Sequence, residues 1–151
     1  MEKFNSLEDI LNFAIKNEQE AVDFYLRLAK NSKGEEMKIV FEEFAQEEVK
    51  HKARLQKIKD EGTFEFKKEE VMDLNISDYI VPTVPHPDMS YPEALTLAMA
   101  KEKAAFKLYM RLHSKVADAG LQAVFLDLAQ EESKHKLRFE LEYDEFVMRE
   151  N

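Results

Sequence analysis

The chain has 151 residues, enough for one domain with a sizeable core and short for two independent ones. Its 31 acidic against 22 basic residues give a formal charge of −9, which repels nucleic acid and anionic membranes unless a local basic patch intervenes, and the sequence offers no evident one. The absence of cysteine excludes disulfides, thiolate nucleophiles and iron–sulfur or rubredoxin-type centres, so any redox metal must sit on nitrogen and oxygen ligands.

Scarce Gly and Pro, with abundant Ala, Leu, Glu and Lys at helical spacing, point to an all-α chain. Residues 1–6 lack the apolar core of a signal peptide, and no stretch approaches the ~20 apolar residues of a membrane span, so a soluble cytoplasmic protein is expected. Ser6 before Leu7-Glu8-Asp9 predicts a helix N-cap, with a first helix over about 6–31. After Asn31-Ser32-Lys33-Gly34 a second periodic segment covers about 35–61 and ends at Gly62, where glycine can take the left-handed terminating conformation. Residues 62–90 are a crossover, with Pro82, Pro85 and Pro87 and the β-leaning pieces Thr63-Phe64-Glu65-Phe66 and Tyr79-Ile80-Val81. Ser90-Tyr91-Pro92-Glu93 predicts a capping box opening a third helix over about 91–117. A break at Asp118-Ala119-Gly120 then leads into a fourth over about 119–149.

Laying residues 11–55 over 95–139 at a constant offset of 84 reveals an internal repeat without a gap. Leu11, Ala14, Glu18, Ala21, Tyr25 and Leu28 match Leu95, Ala98, Glu102, Ala105, Tyr109 and Leu112; Phe41, Ala45, Glu48 and His51 match Phe125, Ala129, Glu132 and His135. One helical hairpin is used twice. The expected architecture is a single domain, 1–151, formed as a four-helix bundle of two repeated hairpins, the long crossover making the second and third helices parallel.

In each helix, positions stepping alternately by four and three form the seam that faces its partners. In the first this reads Leu7, Leu11, Ala14, Glu18, Ala21, Tyr25, Leu28, and in the third Tyr91, Leu95, Ala98, Glu102, Ala105, Tyr109, Leu112, so Glu18 and Glu102 occupy core positions. The second gives Met37, Phe41, Phe44, Glu48, His51, Leu55, Ile58, and the fourth Leu121, Phe125, Leu128, Glu132, His135, Phe139. Glu-x-x-His at i, i+3 turns both side chains to one face. Glu18 and Glu48 lie equally far from the middle of the first hairpin, as do Glu102 and Glu132 in the second, so each pair should meet at one level. Four buried carboxylates without compensation cost several kcal/mol each, whereas two divalent cations balance them. Carboxylate oxygen with imidazole suits iron, manganese or zinc, and six protein ligands for two ions leave positions open to peroxide or oxygen. The competing reading is a polar layer that only fixes helix register. His113, three turns from Glu102, has no counterpart in the first half; His86 lies between prolines; Glu20, Glu47 and Glu131 fall off the seam as solvated positions.

These residues resemble the ferritin-like superfamily, and within it the diiron domain of rubrerythrins. Asn17-Glu18-Gln19-Glu20-Ala21 with Tyr25 is similar to the first-helix motif, Glu48-Val49-Lys50-His51 and Glu132-Ser133-Lys134-His135 to the two Glu-x-x-His motifs, and Glu102 with Tyr109 to the third helix. The resemblance implies two iron ions bridged by Glu48 and Glu132, with Glu18 and Glu102 as terminal ligands and His51 and His135 completing the two ends. Tyr25 and Tyr109, seven residues beyond the terminal glutamates, are candidates to hydrogen-bond to the cluster. It further implies peroxide or oxygen as substrate and a homodimer. Two departures bear on function. A rubrerythrin carries a four-cysteine rubredoxin domain, which this cysteine-free chain lacks, so a peroxidase needs an external electron donor; and Ala105 stands where a further glutamate is usual. A ferroxidase consuming Fe(II), or a metal-stabilised module without turnover, are the other readings.

Overall fold

A computed structural model describes residues 4, 6–32, 34–62, 74–81, 86 and 88–150. Four long helices account for most of them: α1 Leu7–Asn31, α2 Glu35–Glu61, α3 Tyr91–Lys115 and α4 Ala119–Glu150, with a short 3-10 helix at Ile76–Tyr79. Two units result, one ending at Met72 and holding the α1–α2 hairpin, the other starting at Asp73 and holding the 3-10 helix and the α3–α4 hairpin.

In the first unit, the Ser6 hydroxyl accepts from the Asp9 amide at 3.1 Å, and Glu8 and Asp9 place negative charge at the positive end of the helix. Gly62 closes α2 in the left-handed region at φ 56°, its N–H donating to the Ile58 carbonyl at 3.2 Å. Antiparallel register is visible where Lys52 Nζ donates to Gln19 Oε1 at 2.8 Å, beside the approach of His51 to Glu18. Leu11, Phe41, Leu55 and Tyr25 are fully buried, each apolar side chain contributing about 1.5–3 kcal/mol. The buried face is wider than the seven-residue seam: Ile10, Val22 and Phe24 join it, and Ala45 is buried where the seam has Phe44, which stays half-buried. A straight helix drifts by ~20° per heptad, which is enough to exchange neighbouring positions.

The second unit repeats the pattern. Ser90 and Glu93 form the expected capping box, with Glu93 N donating to Ser90 Oγ at 3.2 Å and Ser90 N to Glu93 Oε1 at 3.5 Å. α3 stops at Lys115, two residues before the expected end, because Val116 turns extended and buries its side chain while its N–H bonds to Leu112. Asp118 starts α4, its carboxylate accepting from the Leu121 amide at 3.0 Å. At the hairpin end Gln122 Nε2 donates to the Val116 carbonyl at 2.8 Å, and at the far end Tyr91 Oη donates to Glu142 Oε1 at 3.2 Å. Of the β-leaning crossover pieces, Thr63–Phe66 lies outside the described residues, while Tyr79 ends the 3-10 helix and Ile80 and Val81 are irregular. Tyr79 is buried against α3 with Lys107 Nζ 6.0 Å from its ring centre, so its aromatic surface is used in packing on a helix rather than in a sheet. Among the described residues no helix is long and apolar enough to cross a membrane.

Candidate metal centre

The seam spacing of each hairpin carries two acids and an imidazole into its interior. In the α1–α2 hairpin, Glu18, Glu48 and His51 are 3%, 1% and 1% exposed, and one ligand atom of each lies within 4.8 Å of the others. His51 Nδ1 stands 3.7 Å from Glu18 Oε2 and 3.7 Å from Glu48 Oε2. In the α3–α4 hairpin, Glu102, Glu132 and His135 are equally buried and one ligand atom of each again lies within 4.8 Å of the others, with His135 Nδ1 3.5 Å from Glu102 Oε1. Each glutamate therefore meets the Glu-x-x-His of its own hairpin at the depth the sequence predicts.

Burial, followed by the charge of Glu48, raises the Glu18 carboxyl well above the usual range. Burial alone would push the His51 imidazole down, but attraction to Glu18 and then Glu48 outweighs it and holds the group up at about 11. Both shifts favour the protonated forms and so moderate the buried charge, a role that a divalent cation can assume. The donor set fits such an ion: hard oxygens plus imidazole are suitable, and donors ~2.1 Å from a common ion lie ~3–4 Å apart, the spacing of the His–Glu contacts.

Tyr25 and Tyr109 are both buried in their hairpins, Tyr25 making an edge-on ring contact with Phe24 at 5.9 Å. Glu20 is exposed and Glu47 and Glu131 half-exposed, as off-seam positions should be. His113 is used elsewhere: its Nδ1 donates to the Gln122 carbonyl at 2.8 Å, fastening α3 to α4. His86 is exposed in the turn that precedes α3, its carbonyl accepting from Met89. A buried acid absent from the seam reading is Glu142, at 5% exposure. The offset of 84 could have exposed it, because Tyr91 and Glu142 replace Leu7 and Ile58 of the first half together.

Two hairpins, each offering two carboxylates and one histidine from a repeated Glu…Glu-x-x-His pattern, form a helical protein with a buried carboxylate–histidine set that could hold metal ions. The profile of the Rubrerythrin family matches residues 9–88 and 93–151, and the chain belongs to that family. Its fold class is accordingly the all-α, ferritin-like one. Among solved structures it is similar to a hypothetical protein from Pyrococcus furiosus, with 26% identity, a TM-score of 0.71, and coverage of 92% of this chain and 89% of that one. No curated protein matches it.

Proposed function

We propose that the chain is a non-haem diiron oxidoreductase in which Glu18, Glu48, His51, Glu102, Glu132 and His135 hold two iron ions and hydrogen peroxide or oxygen is reduced. The observation that carries this reading is the twofold occurrence of a buried Glu, Glu, His set at the same spacing. Bound iron supplies one-electron steps and open coordination positions. The protein supplies the rest. Four carboxylates neutralise two divalent ions, and the imidazoles add the nitrogen donors that favour transition metals over calcium. Phe41 and Leu55 in one hairpin, and Phe125 and Phe139 in the other, form apolar surroundings that restrict water. Tyr25 and Tyr109 are assigned the orienting of carboxylates through their phenols. Peroxide reduction consumes two electrons and two protons per molecule and yields two waters; these 151 residues hold no cysteine to bind a further iron, so the electrons come from a donor outside them.

Anaerobic loading with Fe(II), followed by stopped-flow absorbance against peroxide and against oxygen, tests the reading. Two irons per chain, oxidised faster by peroxide and silent in Glu48→Ala and Glu132→Ala, are expected. A preference for oxygen with continuing consumption of added Fe(II) would instead identify a ferroxidase, for which the charge of −9 would help to attract the cation. Failure to bind two metals would remove the centre altogether.

A further inference from the structure

No run of basic residues stands out in the sequence, yet helix geometry assembles a cationic face. On α3, Lys103, Lys107 and Arg111 recur every four residues and all are exposed, so they share one face about 12 Å long. The helix has only two acids, Glu93 in its first turn and the buried Glu102. Like charges at i, i+4 weaken a helix, so the arrangement does not serve α3 itself. Nor does the repeat require it. The matching residues of α1 are Gln19, Asp23 and Arg27, where Gln19 Nε2 donates to Asp23 at 3.0 Å and Gln19 Oε1 accepts from Lys52. Among the described residues, no ion pair joins Lys103, Lys107 or Arg111 to an acid.

The same three cations line an open groove between α3 and the 3-10 helix, together with Tyr79, Phe106 and Met110, against a single acid, Asp78, so the groove's lining keeps a net positive charge. Phe106 is 37% exposed, giving the groove an apolar centre with a charged rim.

We propose that this face of α3 docks an acidic one-electron carrier protein, the donor that the diiron reading requires, and the inference rests on that reading. Charge complementarity selects the occupant. The chain's net charge of −9 repels an acidic protein from most approaches, while the α3 face attracts and orients it. Lys103 adjoins Glu102 in sequence, so a carrier seated here is separated from the α3 seam by about one helix width, ~10–12 Å. Two reduced carriers each lose one electron, the O–O bond of peroxide breaks, and two protons from solvent complete two water molecules.

The probe is a plant-type [2Fe–2S] ferredoxin, an acidic carrier. Titration calorimetry of oxidised ferredoxin into the full chain reads docking without turnover. Binding is expected to weaken about tenfold when salt rises from about 20 to about 200 mM. It should also weaken about tenfold in the triple variant Lys103→Gln, Lys107→Gln, Arg111→Gln, whose helical circular dichroism reports folding, but not in Lys57→Gln on the exposed surface of α2. In iron-loaded protein the triple variant should raise the KM for reduced ferredoxin with kcat unchanged, and single-turnover oxidation of the iron by peroxide should match wild type. Absence of binding, equal affinity in wild type and triple variant, or preferential binding of DNA or phosphatidylserine vesicles over ferredoxin would each overturn the proposal. Salt-sensitive ferredoxin binding without peroxide-driven iron oxidation would leave the docking surface standing and overturn the diiron peroxidase reading instead.

Discussion

Tyr91 and Glu142 show how the second hairpin diverged from the first at single positions. Where the first half has Leu7 and Ile58, the second has a phenol donating at 3.2 Å to a buried carboxylate that Arg149 also approaches at 3.4 Å. A hydrogen bond to a charged group is worth about 1.5–3 kcal/mol, so Tyr91→Phe should destabilise the protein by about 1–2 kcal/mol, the smaller figure because Arg149 still serves the carboxylate. The double change Tyr91→Leu with Glu142→Ile restores the apolar pair and should leave stability equal to wild type or higher, since buried ionic groups rarely outperform apolar ones of similar size. Urea unfolding of both variants distinguishes the two effects, and a double variant less stable than Tyr91→Phe would refute the exchange. The six metal-binding candidates were legible because charge on an apolar seam contradicts the pattern around it. Glu142 stands one seam step beyond Phe139 and matches Ile58 in the repeat, so the same contrast marks it; what the sequence does not show is its partner, Tyr91, 51 residues away.

Helix ends make a second group of tests. Gly62 sits at φ 56°, where a side chain is strained whatever space surrounds it, so Gly62→Ala should cost about 1 kcal/mol. Gly34 caps α2 in extended backbone with nothing within 4 Å of an added Cβ, and Gly34→Ser should instead stabilise by a few tenths of a kcal/mol, about the difference between those caps. Ser90→Ala removes the capping box and should cost about 1 kcal/mol. Thermal melts read all three, and opposite signs at the two glycines are the informative result. These termini were visible in sequence because caps are local, using residues three or four apart. The 3-10 helix was not: of Tyr79-Ile80-Val81, which has the composition of a strand, Ile80 keeps extended backbone, while Tyr79 ends the 3-10 helix and is buried with Lys107 of α3 over its ring. The cationic face of α3 was missed for a related reason, being dispersed in sequence at every fourth residue and gathered only by the helix.

At the scale of the whole molecule, stability and metal should be linked. Glu18, Glu48, Glu102 and Glu132 are buried side chains that oppose folding unless their charge is compensated, and the upward shift of Glu18 expresses that opposition within its hairpin. An ion that binds only the folded chain adds RT ln(1 + [L]/Kd), about 2.7 kcal/mol at a hundredfold excess over Kd. For a chain of 151 residues, each kcal/mol moves the midpoint by about 2–4 °C. Excess Fe(II), under anaerobic conditions, or Mn(II) should therefore raise Tm by about 5–10 °C over a chelator-treated sample. The double variant Glu48→Gln, Glu132→Gln should lose this response. It should also be more stable than wild type when both are metal-free, by about 1–2 kcal/mol, because an amide is easier to bury than a carboxylate. Scanning calorimetry of both proteins, with and without metal, reads the crossing directly. A double variant that is less stable in both states would mean that the carboxylates hold the helices together by hydrogen bonding alone, as a register-fixing polar layer would.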